Sequence, residues 1–217
     1  MFTDKFQYSS TDEEMLFNNN FVKLIYTISK LAKLPVSLEN VLEINDNYPV
    51  NDVHPETISA VLAIKRAIQF VLNKNHCLVF NDLLKINSLI NNGDPATGKL
   101  RDCDITVHLD HQDYHPVIPD DQTELAVNMI INDQKMSATA KAIELNLFLA
   151  KQQLFIKGNQ QTALIAANGI MLQAKTGMLL IPDDAVPEYQ YQLSQFYVKD
   201  NDDIKKWLYD YAVLGNN

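Results

Sequence analysis

QQLFIKGNQQTALIAANGIMLQ, residues Gln152 to Gln173, is the stretch on which the reading of the chain turns. Its first half carries a Gly-Asn pair, Gly158 and Asn159, and its second half is a run of small and apolar helix-compatible residues. Glycine takes a positive φ without steric cost, and asparagine tolerates it better than most residues. A turn at such a pair, set directly before a helix, leaves several backbone N–H groups pointing the same way. With the partial positive charge of the helix start they form a pocket for an anion. A Gly-Asn pair alone also serves ordinary inter-helix turns, so the surroundings have to decide.

Those surroundings are helical. The 217 residues are 47% apolar and 21% charged with only six glycines, a composition that suits one sizeable globular core and leaves little material for hairpins. Met15, Phe17, Phe21, Leu24, Ile25, Ile28 and Leu31 recur three or four apart, which predicts an amphipathic helix that stops before Pro35. Pro55 opens a second such pattern through Ile58, Val61, Leu62 and Ile68, and FNDLLKINSLI predicts a third, with Asn81 or Asp82 to cap it. Further helices are expected at 120–132, 137–151 (capped by Ser137), 160–174, 186–197 and 202–214, the last opening on acidic DNDD. Only 91–121 departs from this period. Turn residues Asn92, Gly93, Asp94 and Pro95 precede alternating DITVHL and YHPVIP, which reads as a loop carrying a short β-hairpin. The domain reading is an N-terminal helical arm, 1–54, and a helical domain, 55–217.

In that setting KGNQQTALIAAN resembles the signature of the Fic family (filamentation induced by cAMP; the Fic/Doc fold), H-P-F-x-[D/E]-G-N-[G/K]-R, a phosphate-binding loop between two core helices. Phe155 takes the aromatic position and Gly158-Asn159 the Gly-Asn pair. The resemblance continues in GKLRDCDITVHLDHQDYHPVIPDD, which is similar to the family's flap, and in LSQFYVKDNDDIKKWLYDYAV, which is similar to its closing helices. Matches in the right order over roughly 55–213 outweigh any one of them. The resemblance implies a mainly α Fic-fold bundle with a short β-hairpin flap. It also implies that Lys157, Gly158, Asn159, Gln160, Gln161 and Thr162 surround the phosphates of ATP or another nucleotide, and that Phe155 packs the loop. Thr106, Val107 and His108 would then form the flap edge that holds a target protein segment by strand addition.

The departures from the signature are equally specific. Gln153 stands at the family's catalytic histidine, and an amide takes no proton at neutral pH, so a general-base contribution of roughly 10²–10⁴-fold is lost there. Lys157 stands where an acidic residue would hold Mg²⁺, and an ammonium repels that ion. Gln161 replaces the arginine clamp, and Leu164 occupies the position of a second one. Three roles change together, which argues for a degenerate nucleotidyl-transfer (AMPylation) site that keeps nucleotide or phosphate binding and acts in regulation or protein interaction. Two rival readings stay open: an active transferase modifying Ser, Thr or Tyr hydroxyls by a non-histidine route, and a helical interaction module that binds no nucleotide. Glu39 and Asn40 match the last two positions of the family's inhibitory [S/T]-x-x-x-E-[G/N] motif, but Pro35 fills its Ser/Thr position.

Other clusters weigh less. His108, His111 and His115, beside Asp110 and Asp113, have metal-ligand residue types, but odd separations on a hairpin send side chains to opposite faces, so no metal site is expected. Aromatic residues near the C-terminus, Trp207 among them, are expected to be core. A net charge of −9 argues against sequence-independent binding to nucleic acid or anionic lipid. Two isolated cysteines, no basic-then-apolar leader and no run of roughly 18 apolar residues predict a cytoplasmic protein without a membrane segment, and the resemblance to the Fic family implies one of bacterial type.

Overall fold

A computed structural model describes residues 2–74, 76–109 and 112–215 of the chain. Helix α1 spans Ser10–Leu31 and is capped by Ser9, whose Oγ accepts the Asp12 N–H at 3.2 Å. The short α2, Leu38–Asn45, begins on a reciprocal box in which Ser37 and Asn40 satisfy each other's backbone N–H. Helix α3, Pro55–Leu72, starts on the proline, whose missing N–H costs nothing in a first turn. At the start of α4, Phe80–Ile90, it is Asp82 that serves the helix end, accepting the Val79 N–H at 2.8 Å. After the flap come α5, Thr123–Asn132, and then α6, Ala138–Gln152, capped by Ser137.

Helix α7, Asn159–Ala174, organises the rest. Every residue from Thr162 to Met171 is buried, so it has no amphipathic face and needs partners all round. It finds them in α6, its most extensive contact, and in α4, α3, α1 and the strand that follows it. The α1 side chains Leu24, Ile25 and Ile28 join the same apolar core as Ile64 and Ile68 of α3 and Ile165 of α7. Helix α8, Val186–Lys199, adds Tyr189, Leu193, Phe196 and Tyr197.

The two small sheets differ in purpose. In the flap, β1 (Val107–His108) and β2 (Asp113–Tyr114) pair antiparallel, Val107 opposite Tyr114 and His108 opposite Asp113. The second sheet corrects the expected closing helix. Helix α9 runs only from Asp203 to Trp207, a π-turn covers Leu208–Ala212, and Val213–Leu214 then extend as β4 against β3, Met178–Leu179. Met178 and Leu179 are fully buried, and their backbone groups require partners that another turn of helix could not supply. Trp207 is likewise not core: it lies half-buried, its ring 6.2 Å from that of Tyr189 and 5.9 Å from that of Tyr211. Among the described residues no helix is long and apolar enough to cross a membrane.

Asn168, 3% exposed in the middle of α7, ties β3 to the helix. Its Oδ1 accepts the Leu179 N–H at 2.9 Å, and its Nδ2 donates to the Leu179 carbonyl at 2.9 Å. Replacing it with alanine strands both strand groups in the core. Asn168→Ala is expected to destabilise the fold by about 2–4 kcal/mol, at roughly 1–3 kcal/mol per orphaned buried group, read by denaturant unfolding.

Candidate functional site

The loop between α6 and α7 is shaped by two left-handed residues. Gln153 closes α6 at φ 49°, and Gly158 precedes α7 at φ 77°. A side chain at position 158 would be strained by that φ, and its Cβ would fall 2.8 Å from Ile90 Cδ1 and 3.0 Å from Asn91 Nδ2. Because glycine offers no side-chain cap, the N–H groups of Asn159, Gln160 and Gln161 begin α7 without an intrahelical acceptor.

Asparagine side chains hold this loop in place. Asn159 Oδ1 accepts the Phe155 N–H at 2.8 Å, while Asn159 Nδ2 donates to the Phe155 carbonyl at 2.8 Å and to Gln153 Oε1 at 3.0 Å. Gln153 Nε2 donates to the Ala150 carbonyl of α6 at 2.6 Å, so both ends of this amide, 8% exposed, are already engaged within the protein. From α4, the fully buried Asn87 donates to the Lys157 carbonyl at 2.9 Å and to Thr162 Oγ1 at 3.2 Å, and accepts the Gly98 N–H at 3.0 Å. Arg101 joins the flap to the same loop. Its backbone N–H donates to the Leu154 carbonyl, its Nε to the Gln153 carbonyl at 2.6 Å, and its Nη2 to the Pro116 and Val117 carbonyls.

The result is a cleft of about 660 Å³ between the loop, the flap and the end of α1. Gln153, Lys157, Gly158, Asn159, Gln160 and Gln161 line one side of it, and the flap residues Thr106, Val107 and His108 face them. Phe155 and Thr162 lie behind the wall, 1% and 0% exposed, as packing and hydrogen-bonding supports. Lys157 Nζ is 2.7 Å from Asp94 Oδ2, and this hydrogen bond holds the Asp94 carboxyl below its ordinary range. Gln160 Oε1 accepts from Gln190 Nε2 at 3.0 Å. Beneath the cleft the Tyr197 hydroxyl is buried without a hydrogen bond among the described residues. Burial pushes its pKa far up, with the Gln160 and Gln153 amides close enough to pull it partly back.

Glu39 and Asn40 do not line the cleft: Asn40 serves the α2 capping box, and Glu39 is an exposed residue of the same helix. Leu31 and Lys33, at the end of α1, do line it, and nothing in the sequence marked them as site residues. Lys33 adopts φ 55° just after the helix, a conformation that a helix-stop pattern does not announce. On the flap, His108 Nδ1 is 2.8 Å from Asp113 Oδ1, and His115 lies 3.4 Å from Thr106 Oγ1. Asp110 and His111 fall outside the described residues, among which no three His, Cys, Asp or Glu side chains gather as a metal site.

The architecture is that of Fic proteins. A fragment of Fic-1 from C. elegans superposes with a TM-score of 0.77 at 18% identity, over 96% of this chain and 64% of that one. A Fic domain containing signaling protein from Bacteroides thetaiotaomicron gives 0.75 at 13% identity, covering 89% of this chain and 77% of that one. A Fic family protein from Desulfovibrio desulfuricans gives 0.70 at 15% identity, over 98% and 75%. The chain thus spans somewhat under two thirds of the C. elegans fragment. No protein-family model matches the sequence, and no curated protein matches it.

Gly158→Ala tests how tightly the turn is specified. The positive φ and the contacts with Ile90 and Asn91 should together cost about 1–3 kcal/mol, seen as a lower unfolding midpoint. Gly93→Ala, also at positive φ but with open space around it, should cost less.

Proposed function

We propose that the cleft binds the phosphate end of a nucleotide, with ATP as the first candidate, and that efficient nucleotidyl transfer has been lost. The observation that carries this reading is the uncapped first turn of α7 opening into a cleft whose cationic side chains are Lys33 and Lys157. Three convergent N–H groups at the positive end of a 16-residue helix suit phosphate oxygens. Lys33 makes no ion pair among the described residues, whereas the charge of Lys157 is partly offset by Asp94.

The chemistry of transfer is what the side chains do not support. At position 153 an amide locked against Asn159 and Ala150 stands in place of a base, and neutral amides do not take up a proton from an attacking hydroxyl. No carboxylate among the described residues lines the cleft, so Mg²⁺ has no charged protein ligand there and phosphate charge would be met by lysines and backbone N–H groups. The Fic fold of the chain, its low identity to the solved examples notwithstanding, makes a phosphate-holding loop the natural expectation at this turn. The task that follows is regulatory or scaffolding, with the flap edge of Thr106, Val107 and His108 receiving a segment of another protein.

ATP without Mg²⁺ should raise the unfolding temperature, by an amount equivalent to roughly 2.7 kcal/mol at a hundredfold excess over Kd. Lys33→Ala should weaken binding, and Gln161→Arg should tighten it roughly tenfold through a charge-assisted contact. Absence of any shift at millimolar ATP would overturn the reading, and a self-added AMP detected by mass spectrometry would favour an active transferase instead.

A further inference from the structure

A second cavity, of about 800 Å³, lies at the opposite end of α7. Residues Leu172, Gln173 and Lys175 at the end of α7 and Leu72 and Asn73 at the end of α3 border it, facing the first turns of α1. About 21 Å of helix separates it from the cleft at Gly158. Glu13 of α1 lines it, 2% exposed, and neither carboxylate oxygen has a hydrogen-bond partner among the described residues. A buried carboxyl whose two oxygens both lack a hydrogen-bond partner is rare in a folded chain and calls for an explanation.

The neighbouring charges do not solve it. Lys74 is committed to Asp82, Nζ to Oδ1 at 2.5 Å, with both side chains nearly buried. Lys175 is close enough to act on Glu13 electrostatically but forms no ion pair with it, and the Gly177 N–H approaches without completing a hydrogen bond. Glu14 adds a second carboxyl to the wall, and His76 and Cys77 complete the titratable groups facing the space. Two helices, α3 and α7, present their C-terminal, partially negative ends here, against the one partially positive start of α1. The apolar part of the lining, Phe17, Leu72 and Leu172, suits an aliphatic stem.

We propose that this cavity binds an organic cation bearing N–H donors on an apolar stem, an alkylammonium or alkylguanidinium group, with Glu13 as its counter-ion. Both Glu13 oxygens are covered in the ligand-free form, so occupancy requires the side chain to turn into the cavity that it already lines, which its flexible stem permits. The site is independent of nucleotide binding at the other end of α7.

Burial pushes the Glu13 carboxyl from 4.5 up to about 7, with Gly177 and Lys175 opposing the shift. The folded chain therefore holds a proton there that the unfolded chain releases, so the ligand-free fold loses stability as pH rises from about 4.5 to about 7. A cation needs the ionised form and should do the opposite, binding more weakly as pH falls through that value. Isothermal titration of the full chain with butylguanidinium and butylammonium should give saturable binding, roughly tenfold weaker at pH 6 than at pH 8. Tetramethylammonium, with no N–H, and butanol, with no charge, should each bind at least tenfold more weakly. Glu13→Gln should abolish binding and Glu14→Gln should largely preserve it, and the pH series on the unaltered chain stands if the Glu13→Gln protein does not fold. No saturation with either cation, equal affinity at the two pH values, or retained affinity in a folded Glu13→Gln protein would overturn the proposal.

Discussion

The side chain of Asn87 sets the geometry on which the cleft depends. It has no exposed surface, and its amide reaches three separate parts of the chain: the Lys157 carbonyl in the α6–α7 loop, the hydroxyl of Thr162 in α7, and the Gly98 N–H at the root of the flap. An asparagine amide offers two N–H donors and a carbonyl acceptor on a short stem, one donor more than a hydroxyl has, and Asn87 uses all three. Removing it would leave a carbonyl and an N–H without partners in the interior and would uncouple loop, helix and flap at once. Arg101 reinforces the arrangement from the other side, giving its guanidinium to backbone carbonyls of the loop and of the flap exit rather than to a carboxylate. The root of the flap and the α6–α7 turn are therefore tied together, although some fifty residues of sequence separate Gly98–Arg101 from Gln153–Asn159.

Most of the helical framework was legible from periodicity because α1, α3 and α4 each bury one face and obey the 3.6-residue period. Helix α7 was legible for a different reason, through its Gly-Asn start, since a helix buried all round carries almost no amphipathic signal. The ends proved harder. The strand pair β3–β4 joins residues more than thirty positions apart through two residues each, and no local pattern announces so short a ladder. An aromatic at helical spacing marks a face without saying how deep it lies, and for this reason Trp207 could be taken for core when it sits at a rim.

The candidate site shows the same division. Gln153, Lys157 and the residues from Gly158 to Gln161 could be placed together from the sequence because they fall within nine positions of one resembled signature, and the flap residues because they resembled a known element. Lys33 could not, since its position in the cleft follows from how α1 packs against α7 and from a left-handed residue just after the helix. The Gln153 amide gave a different surprise. It could be expected to face a ligand, yet it spends its oxygen on Asn159 and its nitrogen on Ala150, and so serves the loop's own shape.

The Asn159 lock has a thermodynamic consequence. Phe155, Gln153 and Asn159 are joined before any ligand arrives, so the entropy of ordering the turn is lost on folding rather than on binding. An anion that docks there meets N–H groups already aimed and has no loop to organise. The flap, held by a two-residue ladder, is the opposite case, and whatever it receives must supply the order itself. One side of the cleft is thus a pre-ordered turn and the other a lightly held edge, a division that, under the proposed function, would let a single pocket bind one group tightly while accepting partners of varied sequence.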